Sequence, residues 1–158
     1  MNPSNTTMSV WKRMSKMPGG KWAFSRLVCW KAPYFSSIAP LFTELRPGYC
    51  EVYMAKRRKV LNHIGTVHAI AMCNMVELAG GTLTEVTIPP SHRWIPKGMT
   101  VAYIRKAQTD LRAEAAIESV PAFNAATEFP VSVNIIDTNN ETVLRAVIAM
   151  WISPKKQQ

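Results

Sequence analysis

The sequence predicts an α+β domain in which a largely antiparallel sheet wraps one buried helix. Three observations predict it. Residues 66–83 carry apolar side chains around the whole helical circumference, among them Val67, Ile70, Met72, Met75, Val76 and Leu78, which leaves no side of that helix for water. Two segments before this helix and four after it are rich in β-branched or alternating apolar residues, the pattern of strands. Short turns join most of the strands, which favours antiparallel neighbours, and a small domain has few ways to bury a helix completely other than folding a sheet round it.

The elements follow in order. Val10, Trp11, Met14 and Met17 fall at helical spacing until Pro18-Gly19-Gly20 stops the run. Trp22, Phe24, Leu27, Val28 and Trp30 predict a second helix, ended by Ala32-Pro33. Extended segments are expected at 36–45 and 49–55, divided by the turn Arg46-Pro47-Gly48. A basic run, Lys56-Arg57-Arg58-Lys59, precedes the central helix, for which Thr66 is a candidate cap and Gly80-Gly81 lies near the end. Strands are then predicted at 100–107, 109–117, 128–137 and 141–152, with 137–140 as a hairpin turn and Leu144, Ala146, Ile148, Met150 and Ile152 on one face. Disorder is expected only at the polar ends, 1–7 and 154–158.

A chain of 158 residues, 47% of them hydrophobic, makes one domain with a real core. Nineteen Lys and Arg against ten Asp and Glu leave a net charge of +9, which favours a polyanionic partner: nucleic acid, an anionic membrane surface or a phosphorylated cofactor. The three cysteines, Cys29, Cys50 and Cys73, form no CxxC pair, and Cys73 reads as core filler within the helix. A reducing compartment, the cytoplasm, is the expectation. No secretory signal and no transmembrane run is evident, so no stable membrane insertion is expected. His63 and His68 lack further ligands at metal-binding spacing, so no metal site is predicted. Aromatics are not interleaved with the 56–59 cations, which argues against nucleic acid. Trp11, Met14, Met17, Trp22 and Phe24, with neighbouring cations, suit either a membrane surface or a layer packed on its own domain, and packing on the domain or over a pocket mouth is preferred.

Glu77 needs explaining. It is the only Asp, Glu, Lys or Arg between Lys59 and Glu85, and it stands mid-helix among apolar neighbours. Burial of an ionised carboxylate costs several kcal/mol unless a partner or water reaches it, roughly the penalty for a buried ion, and folding does not require it. A solvated gap or an arginine partner is the plainer reading, and chemistry is the other. Asn62, Gly65 and His68 lie at the start of the same helix, where free N–H groups can meet a developing oxyanion. Glu77 is nine residues beyond His68, roughly 13 Å at the standard rise, so one helix cannot bring both to one point. Two antiparallel helices in a symmetric dimer can.

The stretch from Asn62 to Glu77, N-H-I-G-T-V-H-A-I-A-M-C-N-M-V-E, resembles the motif N-x-x-G-x-x-H-G-G of hotdog-fold acyl-CoA thioesterases of the phenylacetate-pathway type, with a carboxylate nine residues after the histidine. Asn62, Gly65, His68 and Glu77 stand at the matching spacings. The longer context resembles a less characterised subgroup, and the resemblance covers residues 33–152. It implies a hotdog domain at 33–153 behind a helical extension at 1–32. It implies a homodimer, possible as a homotetramer, that hydrolyses an acyl thioester such as acyl-CoA. Coenzyme A would be part of the substrate and no cofactor would be retained.

The resemblance also implies roles. Glu77 is the carboxylate acting as nucleophile or general base, and the N–H of Ala69 polarises the thioester carbonyl. Asn62 positions thioester or water, and His68 holds the loop. The family's Gly-Gly is Ala69-Ile70 here, which narrows or reshapes the acyl channel and keeps a non-catalytic acyl- or CoA-binding protein as the alternative. A hotdog dehydratase would need an Asp/His pair that the sequence does not supply. Arg57, Arg58, Lys59 and Lys97 are candidate partners for the phosphates of coenzyme A.

Overall fold

The computed structural model describes residues 5–155 apart from 121 and 124. The disorder expected at 1–4 and 156–158 lies outside the described residues. Residues 5–7 are helical or capping: Asn5 caps α1 (Thr6–Met14), its side chain accepting from the Met8 N–H. Helix α2 (Gly20–Lys31) follows, then a 3₁₀ turn at Pro33–Ile38. That turn occupies the first part of the strand expected at 36–45. Ala39, at φ 44°, and Pro40 end it, and β1 (Leu41–Arg46) begins only afterwards. Next come β2 (Tyr49–Met54), a short 3₁₀ turn at Arg58–Val60, and α3 (Ala69–Thr87). Four strands complete the chain: β3 (His92–Tyr103), β4 (Leu111–Ala116), β5 (Thr127–Asp137) and β6 (Thr142–Pro154).

The six strands form one antiparallel sheet in the order β1-β2-β4-β5-β6-β3, and α3 lies against its concave side: this is the hotdog fold. Alternation places Val131, Val133, Ile135, Leu144, Ala146, Ile148 and Met150 under the helix, and Met72, Met75, Val76, Ala79 and Leu83 of α3 meet them. Asp137 organises the β5–β6 turn by accepting from the N–H groups of Asn139 and Glu141.

Three features of the helix and its neighbours depart from the sequence reading. First, α3 does not stop near Gly80-Gly81 but runs on to Thr87. A Cβ at Gly80 would stand 2.5 Å from the Ile148 side chain and one at Gly81 3.0 Å from the Trp94 ring, so these glycines permit close packing and do not end the helix. Second, His68, not Thr66, caps the helix. Third, β3 starts at His92, ahead of the expected 100. Pro96 and Gly98 interrupt the pattern, yet they sit on an edge strand at a shift in register, where a proline costs no ladder hydrogen bond.

Helices α1 and α2 form a second layer. Trp11, Phe24 and Phe42 stack edge to face at centroid distances of 5.0 and 5.3 Å, bolting both helices to β1. The expected N-terminal stripe is therefore split: Trp11 and Phe24 are core, whereas Met17 and Trp22 face water. Among the described residues no helix is long and apolar enough to cross a membrane, and no cluster of three His, Cys, Asp or Glu that could hold a metal occurs.

Candidate active site

The loop before α3 is built by one side chain. Asn62 Oδ1 accepts from the N–H groups of Ile64 and Thr66, each at 3.1 Å, and its Nδ2 donates to Thr66 Oγ1 at 2.8 Å. The backbone closes the same turn, with Asn62 N–H donating to the Thr66 carbonyl and Leu61 bridging Val67. Gly65 supplies the left-handed residue at φ +77°, and nothing lies within 4 Å of where its Cβ would stand, so the requirement is conformational. Asn62 is thus committed to shaping the loop, with one amide hydrogen left over.

His68 performs the cap. Its Nδ1 accepts from the Ile70 N–H at 3.0 Å, so its ring proton sits on Nε2. Met72 N–H donates to the His68 carbonyl. Among the described residues no acceptor meets the N–H of Ala69 or Ala71, so two donors at the positive end of a 19-residue helix remain free. A depression of about 310 Å³ opens beside them, lined by Lys59, His68, Ile70, Ala71, Asn74 and Tyr34 among others. Ile70, 56% exposed, projects where the motif has glycine.

Glu77 is on the surface, in contrast to a helix sheathed on every side. Ile70, Cys73 and Glu77 form a stripe along α3 that the chain's own sheet leaves uncovered. Cys73 is accordingly half-exposed, not core filler, and its Sγ lies 3.5 Å from Tyr103 Oη. Cys29 and Cys50 are the buried ones, and burial pushes both thiols up from their ordinary range. Two hollows flank Glu77. One, of about 230 Å³, runs to Pro96, Lys97, Gly98 and Met99 of β3. The other is a largely apolar groove of about 460 Å³ between α2 and α3, with Val28, Phe35, Leu78, Gly81 and Trp94 on its walls. Trp94 Nε1 donates to Glu85 Oε2 at 2.8 Å, which fixes the ring forming one wall.

The proposed cations divide between the start of α3 and its middle. Lys59 reaches the helix start. Arg57 instead donates to the Ser37 carbonyl, and Arg58 points to solvent. Lys97 stands beside Glu77, held 3.4 Å from Glu128 and 4.9 Å above the Trp151 ring. Asp110 anchors the front of the basic run. Hydrogen bonds from the Tyr53 hydroxyl and then the Lys56 N–H hold its carboxyl below the usual carboxylate range. Sequence reasoning missed Asn74. It is 7% exposed, donates to Ser37 Oγ at 3.0 Å and lines the hollow at the helix start. A lone amide within an apolar run was its signal.

A family model described as a domain of unknown function, DUF4442, matches residues 20–152. The chain belongs to the DUF4442 family. This family's model begins within the chain at α2, so the second helix is part of the matched unit. A structural-genomics crystal structure bearing no functional name shares 47% identity with this DUF4442 protein, at a TM-score of 0.83, over 94% of this chain and 98% of the other. A Pseudomonas aeruginosa protein of unknown function, PA5026, described as a probable thioesterase, is 23% identical at a TM-score of 0.75, covering 88% and 97% of the two chains. The Haemophilus influenzae thioesterase HI1161 is 10% identical at a TM-score of 0.69, covering 79% and 85%. These last two likenesses are likenesses of fold. No curated protein matches the chain.

Proposed function

We propose that the protein hydrolyses an acyl thioester, an acyl-CoA by the motif it carries, at a site completed by two copies of the chain. One observation carries the reading. Glu77 is exposed on the uncovered stripe of α3, while the free amides of Ala71 and Ala69 lie at the start of the same helix, roughly 9 and 12 Å away at the helical rise. Neither half makes a site alone. An antiparallel pair of α3 helices brings Glu77 of one protomer to the helix start of its partner. The apolar surface next to Glu77, with Ile70, Met99 and Tyr103 exposed, is suited to such a contact.

In this site the thioester carbonyl accepts a hydrogen bond from the N–H of Ala69, and the charge that develops on its oxygen is met by the helix terminus. Glu77 either takes a proton from the attacking water or attacks the carbonyl itself. Collapse of the tetrahedral species breaks the C–S bond. In the general-base route the proton that Glu77 took from water passes to the departing sulfur. In the nucleophilic route the thiolate leaves behind a Glu77 acyl anhydride, which water then hydrolyses to the free acid, supplying the proton. The acyl chain occupies the groove walled by Val28, Phe35, Leu78 and Trp94, which opens at Glu77. Lys59 and Lys97 are the cations placed to meet phosphates. Asn62 and His68 act through the loop and the cap. The exposed Ile70, in place of glycine, supports a second reading in which the site holds acyl-CoA without cleaving it.

Thiol release from a panel of acyl-CoA substrates separates the two. Hydrolysis by the wild type, reduced about 10²- to 10⁴-fold in Glu77→Gln, is expected. The melting temperature should not move, because Glu77 is exposed. Tight binding without release would establish the second reading, and full activity in Glu77→Gln would remove the carboxylate from the mechanism.

A further inference from the structure

Apart from Arg26, which reaches back to the Pro40 carbonyl, the outward side of α2 makes no side-chain hydrogen bond among the described residues, and it is unusually rich in large apolar groups. Helix spacing of four puts Trp22, Arg26 and Trp30 on one face, with Leu27 beside them. The opposite side, Phe24, Ser25 and Cys29, is buried. Trp30 is 81% exposed and Trp22 62%; Met17 just before the helix and Tyr34 just after it are exposed too. Such a concentration of exposed aromatic and aliphatic side chains is uncommon on a surface that meets only water.

The charge around it is one-sided. Residues 1–43 contain Lys12, Arg13, Lys16, Lys21, Arg26 and Lys31 and not one Asp or Glu, the first acid being Glu44. Lys12 and Arg13 stand exposed at the end of α1, and Lys16 stands exposed in the turn that leads into α2. Lys21 and Arg26 donate to the carbonyls of Thr43 and Pro40, which are uncharged acceptors.

We propose that the outer face of α2, with its flanks, seats the protein on the surface of an anionic lipid bilayer. Tryptophan and tyrosine partition to the boundary between headgroups and acyl chains, Leu27 and Met17 add apolar area, and the cations meet anionic headgroups. A second copy of the chain is a poor occupant, since a two-fold contact would set the six cations of one 1–43 segment against the six of the other, and neither segment carries an acid of its own. The seat is a surface attachment. Val28 and Lys31 of the same helix also wall the groove that opens at Glu77, so the attachment places that groove next to the layer touching lipid. The inference stands whether or not the protein hydrolyses thioesters.

Flotation with vesicles tests it on the full chain. Wild type should float with vesicles of phosphatidylglycerol and phosphatidylcholine and remain behind with phosphatidylcholine alone. Trp22→Ala/Trp30→Ala should lose flotation at an unchanged melting temperature, because both rings are exposed. Lys12→Ser/Arg13→Ser/Lys16→Ser should weaken partition by roughly fivefold per charge removed. Brominated lipid should quench the fluorescence of wild type and not that of the double tryptophan variant. Failure of the wild type to float on anionic vesicles, equal flotation on neutral ones, or flotation undiminished in the tryptophan variant would each overturn the proposal. In the first case the face belongs to a soluble partner.

Discussion

The sheet has two edges, and the chain treats them differently. β1 has 6 residues, and α2 lies along it. Ser25 Oγ accepts from the Phe42 N–H at 2.9 Å, Lys21 Nζ donates to the Thr43 carbonyl at 2.6 Å, and Arg26 donates to the Pro40 carbonyl at 2.8 Å. Helix side chains thereby satisfy the backbone groups that an edge strand leaves open. β3 has 12 residues and no such cover. Among the described residues no side chain bonds the outward backbone of its central stretch, and Met99 and Tyr103 lie exposed beside Glu77. A short, stitched edge is finished. A long, bare and partly apolar edge leaves its backbone groups open, and it is the edge next to the candidate carboxylate.

The strongest way to break this comparison is to charge the bare edge. In a two-fold pair of β3 strands residue i of one copy faces residue j of the other and j faces i, so Met99→Lys/Tyr103→Lys gathers four new cations at one seam and should convert the proposed dimer to monomer by sedimentation and remove hydrolysis with it. A variant that stays dimeric would dissociate β3 from assembly, and a wild type that is monomeric at assay concentration would end the shared-site reading. A middle-sized effect is expected at the closed edge. Ser25→Ala leaves the buried Phe42 N–H without an acceptor and should cost about 1–3 kcal/mol, a fall of several degrees in melting temperature, with oligomeric state unchanged. An unaltered melting curve would mean that the helix does not stitch the edge energetically. The smallest effect belongs to Lys21→Met. Its exposed bond to the Thr43 carbonyl should contribute less than about 1 kcal/mol, and a loss as large as that of Ser25→Ala would contradict the ranking.

The asymmetry also sets what could be read from the sequence. β5 and β6 were legible because Val131, Val133 and Ile135 and the 144–152 alternation depend on burial, which leaves a period of two. The start of β3 was not, since Pro96 and Gly98 look like a break and are tolerated only at an edge, a fact of topology. Likewise Ser25 reads as an unremarkable helical polar residue until β1 is seen against it. At the site, the spacing of Asn62, His68 and Glu77 pointed to the loop and to the carboxylate, but it gave the cap to Thr66, where His68 performs it, and it expected a buried helix, where Glu77 is exposed. It did not show that Asn62 would be spent on the loop, nor that Arg57 and Arg58 would turn away from the helix start. Those outcomes depend on which backbone groups happen to be near, and spacing along a chain carries no such information.

One consequence of the α2 stitching concerns number. A sheet with two accepting margins can extend end to end without limit, each addition exposing a fresh place for the next. With one margin sealed from within the same molecule, association through the other stops after a single partner. In the proposed assembly the serine, lysine and arginine of α2 would therefore act as a terminator, and their loss would be felt first as a change from a discrete particle to an open-ended string.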